Sequence, residues 1–268
     1  MTDKTPRTFR ELVTLERVAA DFFLGHTPQY TWGRVYGGQV VAQALAAAIA
    51  TVEKPHRVHS LHAYFVLGGT PGVPILFEVD RLREGKSFTT RQVVARQASG
   101  AILNLDASFQ RDEPDVDIQS AGLPLGVPLP ESLSAGEWSG LGEVREVPHD
   151  PTVARSQMWL RIPDDLGDDP SLHACALAYL SDHNPMDAIV ASHPDKPQWE
   201  DIMTASLDHA IWFHRAARAD DWLLFDMSGH GLVNARGMAT GAVHSSTGVH
   251  LATIAQEGLV RSARKPAS

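Results

Sequence analysis

The residue best suited to chemistry is Asp182. On a helix over residues 171–184, Leu172, Cys175, Tyr179 and Asp182 fall at i, i+3, i+7 and i+10, so the carboxylate continues an apolar stripe. A carboxylate buried in this way is paired, hydrogen-bonded or raised in pKa. The carbonyl end of the helix dipole repels negative charge and raises it further, which is how a general base is tuned. A carboxylate that caps backbone amides or pairs with an arginine fits the pattern equally well. Ser206 alternates with Asp208 on one face of an otherwise apolar strand, a pattern usual for solvent-facing positions. Gln256 closes the last strand, where a lone glutamine is more often structural than catalytic. Gly37 and Gly38 open a helix whose first amides lack partners within it, so a negative oxygen could approach them; a tight strand-to-helix turn needs the same glycines. Five cations, Arg81, Arg83, Lys86, Arg91 and Arg96, surround Glu84. They could meet a small phosphorylated ligand, although such charges more often solvate strand edges.

Other chemistries are poorly supported. There is no G-x-S-x-G elbow, phosphate-loop lysine motif, H-E-x-x-H or strand-linked G-x-G-x-x-G. The single cysteine, Cys175, excludes an internal disulfide and any cysteine-cluster metal site, in keeping with a reducing compartment. His59 and His62 do not share a face of an alternating strand, so the histidines suggest no metal site. The formal net charge of −9 argues against a nucleic-acid partner. No stretch reads as a membrane span and MTDKTPRTF has no apolar signal core, so a cytoplasmic protein is expected.

These residues need elements to hold them. YGGQVVAQALAAAIA, Tyr36 to Ala50, has no charge and reads as a helix buried on nearly every side, which a curved sheet could wrap. Thr8 and Glu11 form a capping-box signature for a short helix ahead of an extended stretch from Val13 to Phe23. Strands are expected at His59 to Leu67, Ile75 to Leu82, Phe88 to Gln97 and Ile102 to Gln110, joined by short turns as an antiparallel meander. Residues 112–142 read as a surface linker between an N-terminal unit, 1–111, and a C-terminal unit, 143–268. In the second unit, strands at Val144 to Val147 and Ser156 to Ile162 precede the 171–184 helix, which Pro185 ends. Further strands are expected at Met203 to His214, Trp222 to Met227, Val233 to His244 and Val249 to Glu257. The two series overlay at an offset of 146, Ser60 on Ser206 and Gln110 on Gln256, as a duplicated helix-in-sheet unit would.

In this order, YGGQVVAQAL, SLHAYFV, LREGKSFTTRQV, ASFQ, LAYLSDHN, LDHAIWFHR, WLLFDM, ARG and AQEGLVR resemble the bacterial and peroxisomal acyl-CoA thioesterase II family. The likeness runs from Phe9 to Arg261 and fails only in the linker. It implies an α+β double hotdog: two long helices, each wrapped by an antiparallel β-sheet, the sheets joined edge to edge. It also implies hydrolysis of fatty acyl-CoA by a water that an Asp, a Thr and a Gln hold and polarise, with no cofactor. By position these fall on Asp182, Ser206 and Gln256, and Ser206 keeps the hydroxyl while dropping the stiffening β-methyl. Helix-start amides of Gly38 or Gln39 would receive the oxyanion, and Arg83, Lys86 and Arg91 would meet the CoA phosphates. By analogy a dimer or tetramer is expected. Two alternatives remain: a hotdog hydratase or dehydratase of enoyl or hydroxyacyl thioesters that recruits His183 or His209, and a non-catalytic acyl-CoA binder.

Overall fold

The computed structural model describes residues 5–30, 32–138, 140–148, 150 and 152–262. Thr8 accepts a hydrogen bond from the Glu11 amide and the Glu11 carboxylate accepts one from the Arg7 amide, closing a short helix, α1 (Phe9–Val13). A hairpin of β1 (Glu16–Ala19) and β2 (Phe22–Gly25) leads to α2 (Gly37–Ile49). Four strands follow: β3 (Arg57–Phe65), β4 (Ile75–Arg83), β5 (Phe88–Gln97) and β6 (Gly100–Gln110). Beyond residues 111–142 come β7 (Glu143–Glu146), β8 (Arg155–Arg161), α3 (Pro170–Ser181) and α4 (Pro185–Ala191). The chain ends in β9 (Ile202–Ser206), β10 (Asp208–Phe213), β11 (Leu223–Val233), β12 (Arg236–Ser245) and β13 (His250–Ser262).

The strands form one antiparallel sheet in the order β1-β2-β4-β5-β6-β3-β10-β13-β12-β11-β8-β7, with β9 against β13. The halves meet where β3 pairs with β10, Leu61 opposite Ile211. Each half curls around a helix, so the architecture is the expected double hotdog. Helix α2 carries no charged residue, and Val41, Ala44 and Leu45 on it are fully buried. Burying a leucine side chain is worth ~1.5–3 kcal/mol, which explains why a helix this apolar seeks the concave face. Its buried polar residues are satisfied: Gln43 Nε2 donates to the Leu12 and His26 carbonyls, and Gln39 Nε2 donates to Gln43 Oε1. Helix α3 starts with the Asp169 carboxylate accepting from the Ser171 amide and ends at Asp182. The two helices run antiparallel, the start of α2 resting on the end of α3.

Several details depart from expectation. Pro185 ends α3 but also opens α4, since its missing N–H and fixed φ suit a first helical turn. The strand expected from Met203 to His214 breaks at Leu207, whose carbonyl accepts from the Phe65 amide. The element order repeats between the halves, but the register does not follow the offset of 146. Leu61 opposes Ala107 on β6 as Ile211 opposes Ile254 on β13, so two residues further along the inner face Gln256 matches Phe109. Gln110 faces the other side. The linker is strapped down: Trp159 Nε1 donates to the Pro128 carbonyl, Gln119 bridges Gly248 and His250, and Leu123, Val127 and Leu133 pack near Trp159 and Leu224. Among the described residues no helix is long and apolar enough to cross a membrane.

Candidate active site

Asp182 caps the C-terminal end of α3, where the stripe of Leu172, Cys175 and Tyr179 holds it inward; all four are buried. Its Oδ2 accepts from the Gly38 amide at 2.9 Å and its Oδ1 from Ser206 Oγ at 3.2 Å. Gln256 Nε2 donates to Ser206 Oγ at 2.9 Å. The carboxylate of the second half is therefore held by the first turn of the first half's helix. The glycines permit this approach: a Cβ on Gly38 would stand 2.3 Å from the Tyr179 carbonyl oxygen, and one on Gly37 2.6 Å from Asp182 Oδ2.

The polar chain continues inward. His209 Nδ1 lies 2.5 Å from Gln256 Oε1, and His209 Nε2 lies 2.7 Å from Ser181 Oγ. A carbonyl oxygen only accepts, so His209 Nδ1 carries the proton, while the one Ser181 hydroxyl proton is shared between His209 Nε2 and the Ala178 carbonyl at 3.0 Å. Burial lowers the His209 pKa to about 4, and the imidazole is neutral. One direction of donation results: His209 to Gln256, Gln256 to Ser206, Ser206 to Asp182. Burial also raises the Asp182 pKa to about 6, opposed by the donors Ser206, Gly38 and Gln256 and by the positive charge of Arg34. A carboxylate tuned to this range can hold a proton briefly and release it near neutrality. An aromatic wall stands alongside: Trp138, from the linker, stacks on Tyr179 and lies 4.3 Å from the His183 ring.

The structure brings Asp182, Ser206, Gln256 and Gly38 together. It gives Gly38 a different partner from the expected one: its N–H is taken by the Asp182 carboxylate rather than left open for an oxyanion. The amides of Gly37 and Gln39 have no acceptor among the described residues, while the Gln39 side chain is committed to Tyr30 and Gln43. Arg83, Lys86 and Arg91, expected to meet the CoA phosphates, do not lie beside this carboxylate. Arg91 is fully buried, donating to Thr51 Oγ1, to the carbonyls of Thr51 and Arg83, and to Glu84. It thus anchors the C-terminal end of α2, about 20 Å along the helix from Gly38. Arg83 and Lys86 are exposed at that same remote end. Ser181 and Arg34 were missed, and His209 was considered only for a hydratase; the alternation of β10, which buries His209 and Ile211, was the available signal for its place in this network. Among the described residues no group of His, Cys, Asp or Glu could hold a metal ion.

Two helix-in-sheet halves sharing a buried carboxylate define a double-hotdog protein with a polar site between its halves. A family model described as acyl-CoA thioesterase matches residues 134–259, and one described as acyl-CoA thioesterase N-terminal domain matches residues 26–110. Acyl-coenzyme A thioesterase 8 of Mus musculus is 35% identical over 283 residues, covering 93% of this chain and 88% of the relative. Acyl-CoA thioesterase 2 of Haemophilus influenzae is 32% identical over 277 residues, covering 93% and 96%. The crystal structure of acyl-CoA thioesterase II TesB2 from Mycobacterium marinum matches with a TM-score of 0.84 at 35% identity, over 96% of this chain and 99% of that one. The chain belongs to the acyl-CoA thioesterase II family.

Proposed function

We propose that this protein hydrolyses acyl-CoA thioesters to a fatty acid and CoA, using a water held by Asp182, Ser206 and Gln256. The observation that carries the reading is the buried carboxylate bracketed by the Gly38 amide and the Ser206 hydroxyl. Beside the donors Gly38, Ser206 and Gln256, at least one of its roughly four lone-pair sites is open to accept from a water. The second N–H of Gln256 Nε2 can donate to that water's oxygen. Asp182 takes a proton as the water oxygen adds to the thioester carbonyl. The tetrahedral oxyanion is received by the open amides at the start of α2, those of Gly37 and Gln39. Collapse breaks the C–S bond, and the proton on Asp182 passes to the departing thiolate. General-base assistance of this kind is worth ~10²–10⁴-fold, and each oxyanion donor ~2.7–4 kcal/mol. Arg34, exposed beside the site, is placed to meet a CoA phosphate. The same reading takes the enzyme to be cytoplasmic and homo-oligomeric, with acyl-CoA as its partner and no nucleic acid.

The test is release of free thiol from a panel of acyl-CoA chain lengths. Background is low because the one cysteine is buried and burial pushes its pKa up. Thiol release that depends on Asp182 supports the reading. Binding without release, or enoyl-CoA absorbance changes without thiol, would sink it.

The direction of donation gives a second expected result. His209→Leu removes the donor to Gln256 Oε1 and frees the amide to flip, so kcat should fall by about 10²-fold, the scale of a misplaced reacting group. His209→Asn, whose amide nitrogen can replace Nδ1, should restore most of it. Equal losses in both variants at unchanged Tm would count against this orientation.

A further inference from the structure

The pairing of β3 with β10 acts as a pseudo-twofold axis, so the cleft that holds Asp182 has a counterpart at the opposite end of the helices. The counterpart lies between the start of α3, the end of α2, the end of β6 and the end of β10. A cleft of about 370 Å³ occupies that place. Its volume falls within the range of small-molecule sites, ~300–1,000 Å³.

The duplicated cleft has lost the groups of hydrolysis. Both helices end in a C-cap residue, Asp182 on α3 but Ala50 on α2, so there is no base. Phe109 replaces Gln256 by register. The helix start offers little to an oxyanion, since Pro170 has no N–H and the Asp169 carboxylate already accepts from the Ser171 amide at 2.9 Å.

What it keeps is an apolar floor and a cationic rim. Phe109 and Leu177 are almost fully buried, with Ile49, Val52 and Phe213 half-buried beside them. Lys54, Arg57 and Arg111 are exposed at the edge, in a protein whose overall charge is −9. Asp112 and Glu113 share that rim, and Arg57 reaches Asp112 at 3.6 Å. Lys54 and Arg111 have no carboxylate partner among the described residues. His56 also lines the cleft, and its Nε2 is buried without a hydrogen-bond partner. Two free cations, an unpartnered imidazole nitrogen and an apolar floor match one anionic head on an alkyl chain. The several phosphate charges of a nucleotide would need more than two free cations to balance them.

We propose that this cleft is a second, non-hydrolytic site that binds a fatty acid, its carboxylate at Lys54 and Arg111 and its chain over Phe109 and Phe213. The proposal is independent of the hydrolytic reading, because it rests on the cleft alone.

The test is titration of the full chain with dodecanoate by calorimetry, alongside thiol release from acyl-CoA. Ala174→Phe fills the cleft from α3, and the Lys54→Glu, Arg111→Glu pair reverses the rim charge without touching the core. The expected result is a saturable site in the wild type that Ala174→Phe removes and the rim pair weakens about tenfold or more, with thiol release within about twofold of wild type. Should Ala174→Phe fail to fold, the rim pair decides alone. Identical isotherms for wild type and the folded variants, no binding, or full displacement of dodecanoate by CoA would each overturn the proposal. Absence of thiol release with the binding pattern intact would sink the hydrolytic reading and leave this one standing.

Discussion

Asp182→Asn should lower kcat/KM for acyl-CoA by about 10²–10⁴-fold, the size of a lost general base, with the fold intact. In the wild type the base must be ionised, and its pKa is about 6 because burial outweighs the donors around it. The rate should therefore fall about tenfold per pH unit below 6 and level off above it. Stability should move the other way. A folded pKa raised above the unfolded value contributes stability that is present below the unfolded value and lost as pH rises through the folded one. For Asp182 the shift from 3.8 to about 6 corresponds to about 3 kcal/mol lost by pH 8. The asparagine variant escapes that loss, so its urea midpoint should exceed that of the wild type at pH 8, by a margin that shrinks towards pH 5. Wild-type activity in Asp182→Asn, or a pH-rate profile flat from 5 to 8, would remove Asp182 from the mechanism.

The second large effect is expected at the glycine pair. A Cβ on Gly38 would lie 2.3 Å from the Tyr179 carbonyl oxygen and 2.6 Å from the Tyr36 ring. The carbonyl is backbone in the last turns of α3 and cannot rotate away, so α2 must withdraw and the bond from Gly38 to Asp182 must break. Overpacking of this kind costs ~1–3 kcal/mol, and the displaced base should cost activity about 10²-fold. Gly37→Ala differs in a useful way. Its Cβ meets Asp182 Oδ2 at 2.6 Å and the Phe65 ring at 3.0 Å, both side chains that can turn aside. Activity should fall comparably with less loss of stability. Denaturation midpoints and kcat measured on both variants separate the two, and wild-type values for Gly38→Ala would contradict the helix junction described above.

Much of this was legible in the sequence. The buried stripe on α3 picked out Asp182 because a 3.6-residue period carries information over three turns. Ser206 and Gln256 were recognisable only through family resemblance: one polar residue on a strand says nothing about what a distant helix brings to it. Arg91 was misread from composition, yet β5 buries Thr89, Arg91, Val93 and Ala95 in strict alternation, and that period could have moved it inside. The repeat was visible as element order, but an insertion-tolerant overlay cannot fix register, where a slip of one residue turns Gln110 to the wrong face. The commitment of the Gly38 amide to Asp182 joins residues 144 positions apart, beyond any local signal.

The strap from 111 to 142 has a kinetic consequence. Base and amide come from different halves, and in two separate chains their meeting would depend on concentration. Joined by one tether, the encounter is intramolecular, with an effective concentration that dilution does not change. As far as this pairing is concerned, turnover per molecule should stay constant from concentrated to very dilute enzyme.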